Sequence, residues 1–495
     1  MPLAVFRFDA SPSLGTGHAV RCLALARTLA VAGWRVRVAA SRQTFETVAG
    51  AGAFAPIALD GAVDGEPRRI GAAVGSADLL VIDHYGREAA FEADCRRWAR
   101  RILVIDDLGD RRHDCDALMD QTPGRQNSVY RALVPQHCRL LLGSAYAALR
   151  PEFRVRRPEA LRRRESTEPP QRILLSLGGT DAGDTTRRTM EALARSGVKA
   201  SVDVVVGAAA PYAEAVGTCA QDLGDRFRVH QGVNDMATLM TETDIAVGAA
   251  GTTALERCCL GLPALMLVLA DNQAEVAAAL AKAGAALLLP GIDAVPAAVA
   301  RLCGDAALRR SMSLAAAALC DGRGVWRVVL GLVDPVATEL GAVRLRLAEP
   351  GDEAVMLEWQ RHPQVRRYAR NPEPPTPETH RAWVRSKLAD PNCLLTIVEL
   401  EAAAAVGVVR LDHREHDGAH EVSILVSPDC HGQGIGSAAL RLIRAAMPGS
   451  DLVARVLPEN HASVRAFRKA GYEPLGDGWF RSRPDGLREA GCRAS

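Results

Sequence analysis

A single histidine stands where a loop turns into a helix in FRFDASPSLGTGHAVRCLALARTLAVAGW, Phe6–Trp34. A short apolar strand that ends in Gly-x-Gly and feeds a helix leaves backbone N–H groups unpaired, and such groups bind anions well. Cradling an anion needs no imidazole. His18, directly after Gly15 and Gly17, therefore points to proton chemistry as well as binding, with Asp9, Ser11 and Arg21 near enough in sequence to support it.

A second constellation lies in DIAVGAAGTTALERCCLGLPAL. It reads as a strand, a glycine-rich turn from Gly248 to Gly251, and a helix whose first turn carries Thr252, Thr253 and then Glu256. The turn offers free N–H groups and a positive helix end to a diphosphate. Glu256 suits ribose hydroxyls as an acceptor; equally, it is a helix-stabilising anion in an ordinary strand-to-helix turn. Two neighbours favour a nucleotide: Val233, in VND, where a base meets backbone groups, and the amides of Asn272 and Gln273 after the next strand. A third glycine-rich turn, Gly432, Gly434 and Gly436 in CHGQGIGSAALRLIRAAM, suits a pyrophosphate but lacks the lysine of a P-loop.

The elements that position these residues alternate. Apolar runs at Ala4–Phe8, Val36–Ala40, Leu79–Ile82 and Leu103–Ile105 are separated by helical patterns such as Ala19–Ala32 and Arg87–Arg100. Alternation of this kind specifies a parallel sheet covered by helices on both faces. The Arg-, Glu- and Pro-rich stretch Arg154–Arg172 reads as a linker with a solvated face, after which the pattern restarts at Arg172–Gly179, Ser201–Gly207, Thr243–Gly251 and Leu262–Ala270. Two Rossmann-like halves, 1–153 and 171–336, create a cleft suited to a nucleotide or sugar ligand. From near Gly341 the pattern changes to a strand, a Pro-Gly-Asp turn, an amphipathic helix and paired strands, a third domain over 342–495.

Bulk properties set limits. The 495 residues are 48% hydrophobic and 24% charged, long enough for about three domains at a prior of ~100–200 residues each. Sixty basic residues against 58 acidic give a net charge of +2, so no global field recruits nucleic acid or an anionic membrane. No apolar run approaches the ~20 residues of a membrane span, and the start of the chain lacks a secretory pattern. A cytoplasmic protein is expected. None of the 12 cysteines is spaced Cys-x-x-Cys, and the vicinal Cys258 and Cys259 lie in an apolar stretch, so buried thiols and no metal are expected.

RFDASPSLGTGHAVRCLALA, VIDHYG at Val81–Gly86, LVIDDLGDRRHDCDALMDQ at Leu103–Gln121, LSLGGTD at Leu175–Asp181 and the GAAGTT…E…LGLP…DNQ series together resemble the UDP-sugar hydrolase family of pseudaminic acid biosynthesis over Met1–Val336. The resemblance implies a GT-B-type fold, similar in architecture to the peptidoglycan N-acetylglucosaminyltransferase, with water in place of the sugar acceptor. It implies removal of UDP from UDP-2,4-diacetamido-2,4,6-trideoxy-β-L-altropyranose, with His18 as general base toward water and Tyr85 lining the sugar pocket. Gly15, Gly17, Arg21, Val233, Gly251, Thr252, Thr253, Glu256, Asn272 and Gln273 complete the UDP-sugar site it implies.

The third domain, with ARVLPENHASVRAFRKAGYEP at Ala454–Pro474 after its glycine turn, resembles a GNAT acetyltransferase over Ala342–Pro474. That resemblance places an acetyl-CoA pyrophosphate on Gln433, Gly434, Ile435, Gly436 and Ser437, assigns Asn460 and Ser463 to the second cofactor motif, and makes Glu421 a candidate base for the acceptor amine. Two departures stand out. His431 replaces the usual Arg or Gln at the start of the turn, and Phe467 replaces the tyrosine that many members use as general acid toward the CoA thiolate. The same pathway contains a GNAT enzyme that acetylates the 4-amino group of the UDP-amino sugar just before hydrolysis, so a bifunctional chain is expected, its partners a UDP-linked deoxyamino sugar and acetyl-CoA. Two rival expectations are a GT-B glycosyltransferase with a UDP-sugar donor and a non-catalytic UDP-sugar-binding scaffold with a degenerate tail.

Overall fold

The computed structural model describes residues 1–11, 15–48, 50–60, 64–178, 183–207, 210–401 and 404–483. Part of the LSLGGTD motif, from Gly179 to Asp181, and the end of the third domain lie outside the described residues. The chain divides into two compact units: Met1–Leu3, Arg27–Arg35 and Trp326–Ser495 form one, and Ala4–Ala26 with Val36–Val325 form the other.

The larger unit is built on two parallel sheets. The first contains β1 (Leu3–Phe8), β2 (Arg35–Ala40), β3 (Pro56–Ala58), β4 (Leu79–Asp83), β5 (Ile102–Ile105), β6 (Ala117–Asp120) and β7 (Arg139–Leu142), in the order β3-β2-β1-β4-β5-β6-β7. Strands β1, β4, β5 and β6 are buried along their whole length, as near-continuous apolar runs in a doubly covered sheet must be. The strand order reverses between β1 and β4, and Phe8 lies opposite Asp83 at the ends of those strands. Ligands bind at such a switch point, outside the carboxyl ends of the strands. The helix Gly17–Val31 starts there and brings His18 with it.

The second sheet repeats the plan with β8 (Arg172–Ser176), β9 (Ser201–Val206), β10 (Phe227–Gln231), β11 (Ile245–Ala249), β12 (Ala264–Leu267) and β13 (Ala286–Leu288), ordered β10-β9-β8-β11-β12-β13. Its reversal falls between β8 and β11, so the Gly248–Gly251 turn occupies the corresponding point. Two doubly wound sheets in tandem make this unit GT-B-like.

The Arg-rich stretch after the first sheet is not the solvated linker its composition suggests. Pro151–Arg163 is a 13-residue helix with Phe153, Arg154 and Ala160 buried. The Arg157 guanidinium donates to the carbonyls of Cys320 and Ala317, both at 2.8 Å, and also to that of Cys259, while Arg164 donates to Met240 O at 2.8 Å. These arginines complete carbonyls that the fold leaves open, which composition cannot reveal.

The other unit carries an eight-stranded sheet of β14 (Val336–Thr338), β15 (Gly341–Leu347), β16 (Cys393–Leu400), β17 (Ala405–His413), β18 (His420–Val426), β19 (Leu452–Arg455), β20 (Glu473–Gly476) and β21 (Trp479–Ser482). Its order is β14-β15-β16-β17-β18-β19-β21-β20, antiparallel except between β18 and β19. That parallel ladder runs for only two pairs, His420 with Leu452 and Glu421 with Val453, and then stops. The rest of β18 therefore parts from β19. Helix Ile435–Ala446 follows β18 and buries Ile435, Ala439, Leu442 and Ile443 against the sheet.

Candidate functional site

His18 is 9% exposed and Asp83 1%. The imidazole Nδ1–H donates to Asp83 Oδ1 at 2.5 Å, which fixes the ring and leaves Nε2 as the nitrogen able to take a proton. Arg21, one turn further along the same helix, reaches both oxygens of Asp83, Nε to Oδ2 at 2.6 Å and Nη2 to Oδ1 at 2.7 Å, and Asp107 Oδ2 at 2.9 Å through Nη1. Arg21 is thus interior rather than a surface helix residue. Burial alone pushes the Asp83 carboxyl up, but the Arg21 charge, then His18, outweigh it and hold it well below the usual carboxylate range.

Tyr85 closes the same cluster. Its ring meets His18 edge-on at 4.7 Å between centroids, its hydroxyl donates to Asp107 Oδ1 at 3.1 Å, and the Asn272 amide bonds the same phenol. Burial and the Asp107 charge push the phenol up to about 12, so it stays a donor at neutral pH. Asn272 belongs to the second Rossmann-type region and Tyr85 to the first. Other residues repeat this approach: a Cβ on Gly17 would lie 2.7 Å from Thr252 Oγ1, and Arg125 pairs with Glu275 at 2.6 Å. Gly15, with φ +77°, donates its N–H to Ser11 O at 2.8 Å. Asp9 is committed elsewhere, to Arg7, Ser41 N and Thr44.

At the second turn, Arg257 is wholly buried beneath the chain and donates to Ala249 O at 2.6 Å. A Cβ on Gly248 would sit 2.5 Å from its guanidinium, which explains that glycine, whereas a Cβ on Gly251 meets nothing within 4 Å, so the space above it is open. Thr252 and Thr253 are half-buried at the helix start. Glu256 is buried beside Arg150 at 3.2 Å, and Val233 packs half-buried against the core cluster that holds Ala250 and Ala254. Gln273 Oε1 accepts from Leu269 N at 3.1 Å and so shapes the chain beside Asn272. Asp83, Asp107 and Arg150 are absent from the sequence-derived set. The available signal was a carboxylate ending an otherwise apolar strand in VIDHYG and just past one in LVIDD.

In the smaller unit, Gly432 and Gly434 both have φ +82° on the turn between β18 and helix Ile435–Ala446, and a Cβ on either meets no atom within 4 Å. The space beside Gly432 and Gly434 is thereby open, while Ile435 and Ser437 are buried, and Ser437 Oγ donates to Gly434 O at 3.0 Å. His431 Nε2 lies 3.1 Å from Val426 O. The Asn460 side chain caps the helix His461–Lys469 by accepting from Ser463 N at 3.1 Å, a helix-stabilising use of both residues. Glu421 lies where β18 last pairs with β19 and forms an ion pair with Arg370. Phe467 is buried against Tyr472 and Phe480.

Among the described residues, no group of three or more His, Cys, Asp or Glu could hold a metal ion, every cysteine is a free thiol, and no helix is long and apolar enough to cross a membrane.

Residues 342–473 match the family model of the acetyltransferase (GNAT) domain. The chain is 28% identical over 272 residues to the spore coat polysaccharide biosynthesis protein SpsG of Bacillus subtilis, covering 53% of this chain and 78% of that one. It is 26% identical over 208 residues to the UDP-2,4-diacetamido-2,4,6-trideoxy-beta-L-altropyranose hydrolase of Campylobacter jejuni, covering 42% of this chain and 72% of that one. The crystal structure of Acinetobacter baumannii MurG, 16% identical, covers 66% of this chain and 98% of its own with a TM-score of 0.46. Residues 342–473 thus carry a GNAT acetyltransferase domain, and the front of the chain, two doubly wound sheets of GT-B-like plan, is similar in sequence to a UDP-sugar hydrolase and a spore coat polysaccharide biosynthesis protein.

Proposed function

We propose that the protein catalyses two steps on one UDP-sugar skeleton, with its three domains at 1–153, 171–336 and 342–495. The front hydrolyses UDP-2,4-diacetamido-2,4,6-trideoxy-β-L-altropyranose to UDP and the free sugar, and the tail acetylates the 4-amino group of the precursor UDP-amino sugar with acetyl-CoA, as in the pseudaminic acid pathway. The observation that carries the hydrolytic reading is the His18–Asp83 pair at the switch point of the first sheet, next to Gly17, which lies beside Thr252.

The chemistry follows from that pair. Nε2 of His18 takes a proton from water, the water oxygen bonds to the anomeric carbon, and the bond from that carbon to the diphosphate oxygen breaks with its electron pair going to UDP. Asp83 holds the ring and stabilises the imidazolium that forms. UDP is a good leaving group, so most of the acceleration rests on positioning water and accepting charge. The backbone N–H groups from Gly251 to Thr253 are suited to the diphosphate, Glu256 to ribose, Val233 to the base, and Tyr85 with Asn272 to the sugar.

In the tail, the Gln433–Ser437 backbone would hold the pyrophosphate of acetyl-CoA, with Asn460 and Ser463 beside it. The gap between β18 and β19 would take the pantetheine arm, and Glu421, released from Arg370, would deprotonate the amine directly or through water. Phe467 cannot donate a proton and favours one alternative, a tail that binds without turning over. Mass spectrometry of the full chain with the UDP-4-amino sugar and acetyl-CoA decides between them. The expected products are free diacetamido sugar, UDP and CoA. Binding without UDP release would leave a scaffold, and sugar released only onto an added alcohol would make the front a glycosyltransferase.

A further inference from the structure

Arg150 sits where the chain leaves the first Rossmann-type region, as the N-cap of helix Pro151–Arg163. Its guanidinium nevertheless serves the second region. Nη2 donates to Glu256 Oε1 at 3.2 Å and Nη1 to the Asn234 carbonyl at 3.3 Å, while the group lies 5.2 Å from the centroid of the buried Phe153 ring. Nε is buried without a partner among the described residues. Glu256 retains only 4% of its side-chain surface and Arg150 21%. A carboxylate that deep in the fold is costly unless paired. No further hydrogen-bond partner of the Glu256 carboxylate is found among the described residues, so Arg150 is what orients it.

We propose that Arg150 is a positioning residue of the nucleotide site, holding the Glu256 carboxylate toward the ribose hydroxyls, with its own guanidinium steadied by the Asn234 carbonyl. The inference rests on the reading of this site as UDP-binding and adds to it the origin of ribose selectivity. A planar guanidinium can bond a carboxylate and a carbonyl at once with its plane fixed over an aromatic ring, which an ammonium cannot reproduce. Burial pushes the Glu256 carboxyl up and the Arg150 charge opposes it, so Arg150 also favours the ionised form, the stronger acceptor for hydroxyls.

The test compares UDP with 2′,3′-dideoxy-UDP by calorimetry on the full chain. Wild type is expected to prefer UDP, and Glu256→Ala to lose that preference. Arg150→Ala should reduce the ratio at least about tenfold, as loss of a charge-assisted hydrogen bond does, with the dideoxy affinity nearly unchanged. Arg150→Lys should restore the ratio only in part, and Arg150→Ala combined with Glu256→Ala should add nothing to Glu256→Ala alone. Merely structural damage would lower both affinities together; that result, or a wild-type ratio in Arg150→Ala, overturns the proposal. Equal wild-type affinity for the two nucleotides overturns it too but leaves UDP binding standing, whereas a wild type that binds no UDP removes the underlying reading along with it.

Discussion

At the scale of single residues, the hydrolytic reading turns on which nitrogen of His18 is free. Nδ1 is committed to Asp83, so His18→Gln removes the base while keeping a polar side chain of similar reach. Hydrolysis is expected to fall by about 10² or more with little change in UDP affinity; near-normal turnover in that variant would take His18 out of the chemistry. Asp83 makes a second prediction, on stability. Its carboxyl is held lower in the folded protein than in the unfolded chain, because Arg21 and His18 outweigh burial. Such a group contributes stability that is complete above its unfolded value near ~4 and is lost as pH falls through the folded value. Asp83→Asn leaves Arg21 buried with a weaker partner, so it should unfold more easily than wild type at neutral pH, by roughly 3–5 kcal/mol as for one member of a buried pair. Urea titrations should show that difference shrinking below pH ~4, where the carboxyl of the unfolded chain takes up a proton while the folded one is still ionised. A difference that stayed constant into strong acid would mean that lost packing, not charge, sets the effect.

At the scale of elements, local pattern revealed what local pattern controls. The buried strands of both parallel sheets stand out as apolar runs, and the Gly-x-Gly-His turn is visible because a strand, two glycines and a helix adjoin in sequence. Asp83 was harder to see: it ends an apolar strand, but its partners lie 62 and 65 residues earlier, and only the β1–β4 adjacency unites them. Helix Pro151–Arg163 is concealed for the same reason. Its arginines look solvated in sequence, yet Arg157 answers carbonyls 160 and 163 residues away as well as that of Cys259. Removing the Arg157 guanidinium should therefore cost measurable stability. Arg157→Ala leaves three carbonyls without this donor and is expected to destabilise the larger unit by about 1–3 kcal/mol in chemical denaturation, with Arg157→Lys recovering only part. No change in the Ala variant would show that water replaces the guanidinium at no cost. The turn between β18 and the helix after it was legible by its glycines, whereas the short β18–β19 ladder that leaves room beside it was not, since strand divergence is a property of pairing.

At the scale of the whole molecule, one chain joins two chemistries that share no side chain in the proposed assignments, so each should be removable alone. Gly434 has φ +82°, a conformation in which a β-branched residue is strained, and the open space its Cβ would enter is where the proposed pyrophosphate would sit. Gly434→Val is therefore expected to abolish acetyl-CoA binding and acetylation of the UDP-4-amino sugar, while hydrolysis of the already diacetylated UDP-sugar continues at the wild-type rate. His18→Gln should give the converse, with acetylated UDP-sugar accumulating and little free sugar released. Phe467→Tyr bears on acetylation alone: it restores the hydroxyl that many GNAT members carry at this place, and turnover should rise if protonation of the thiolate limits it and stay level otherwise. Following UDP release and CoA release in the same reaction reads both chemistries from one sample. Loss of both activities in a folded Gly434→Val protein would contradict independent sites. A wild type that releases UDP but never consumes acetyl-CoA beside the 4-amino sugar would leave the hydrolytic front intact and send the tail to another acceptor.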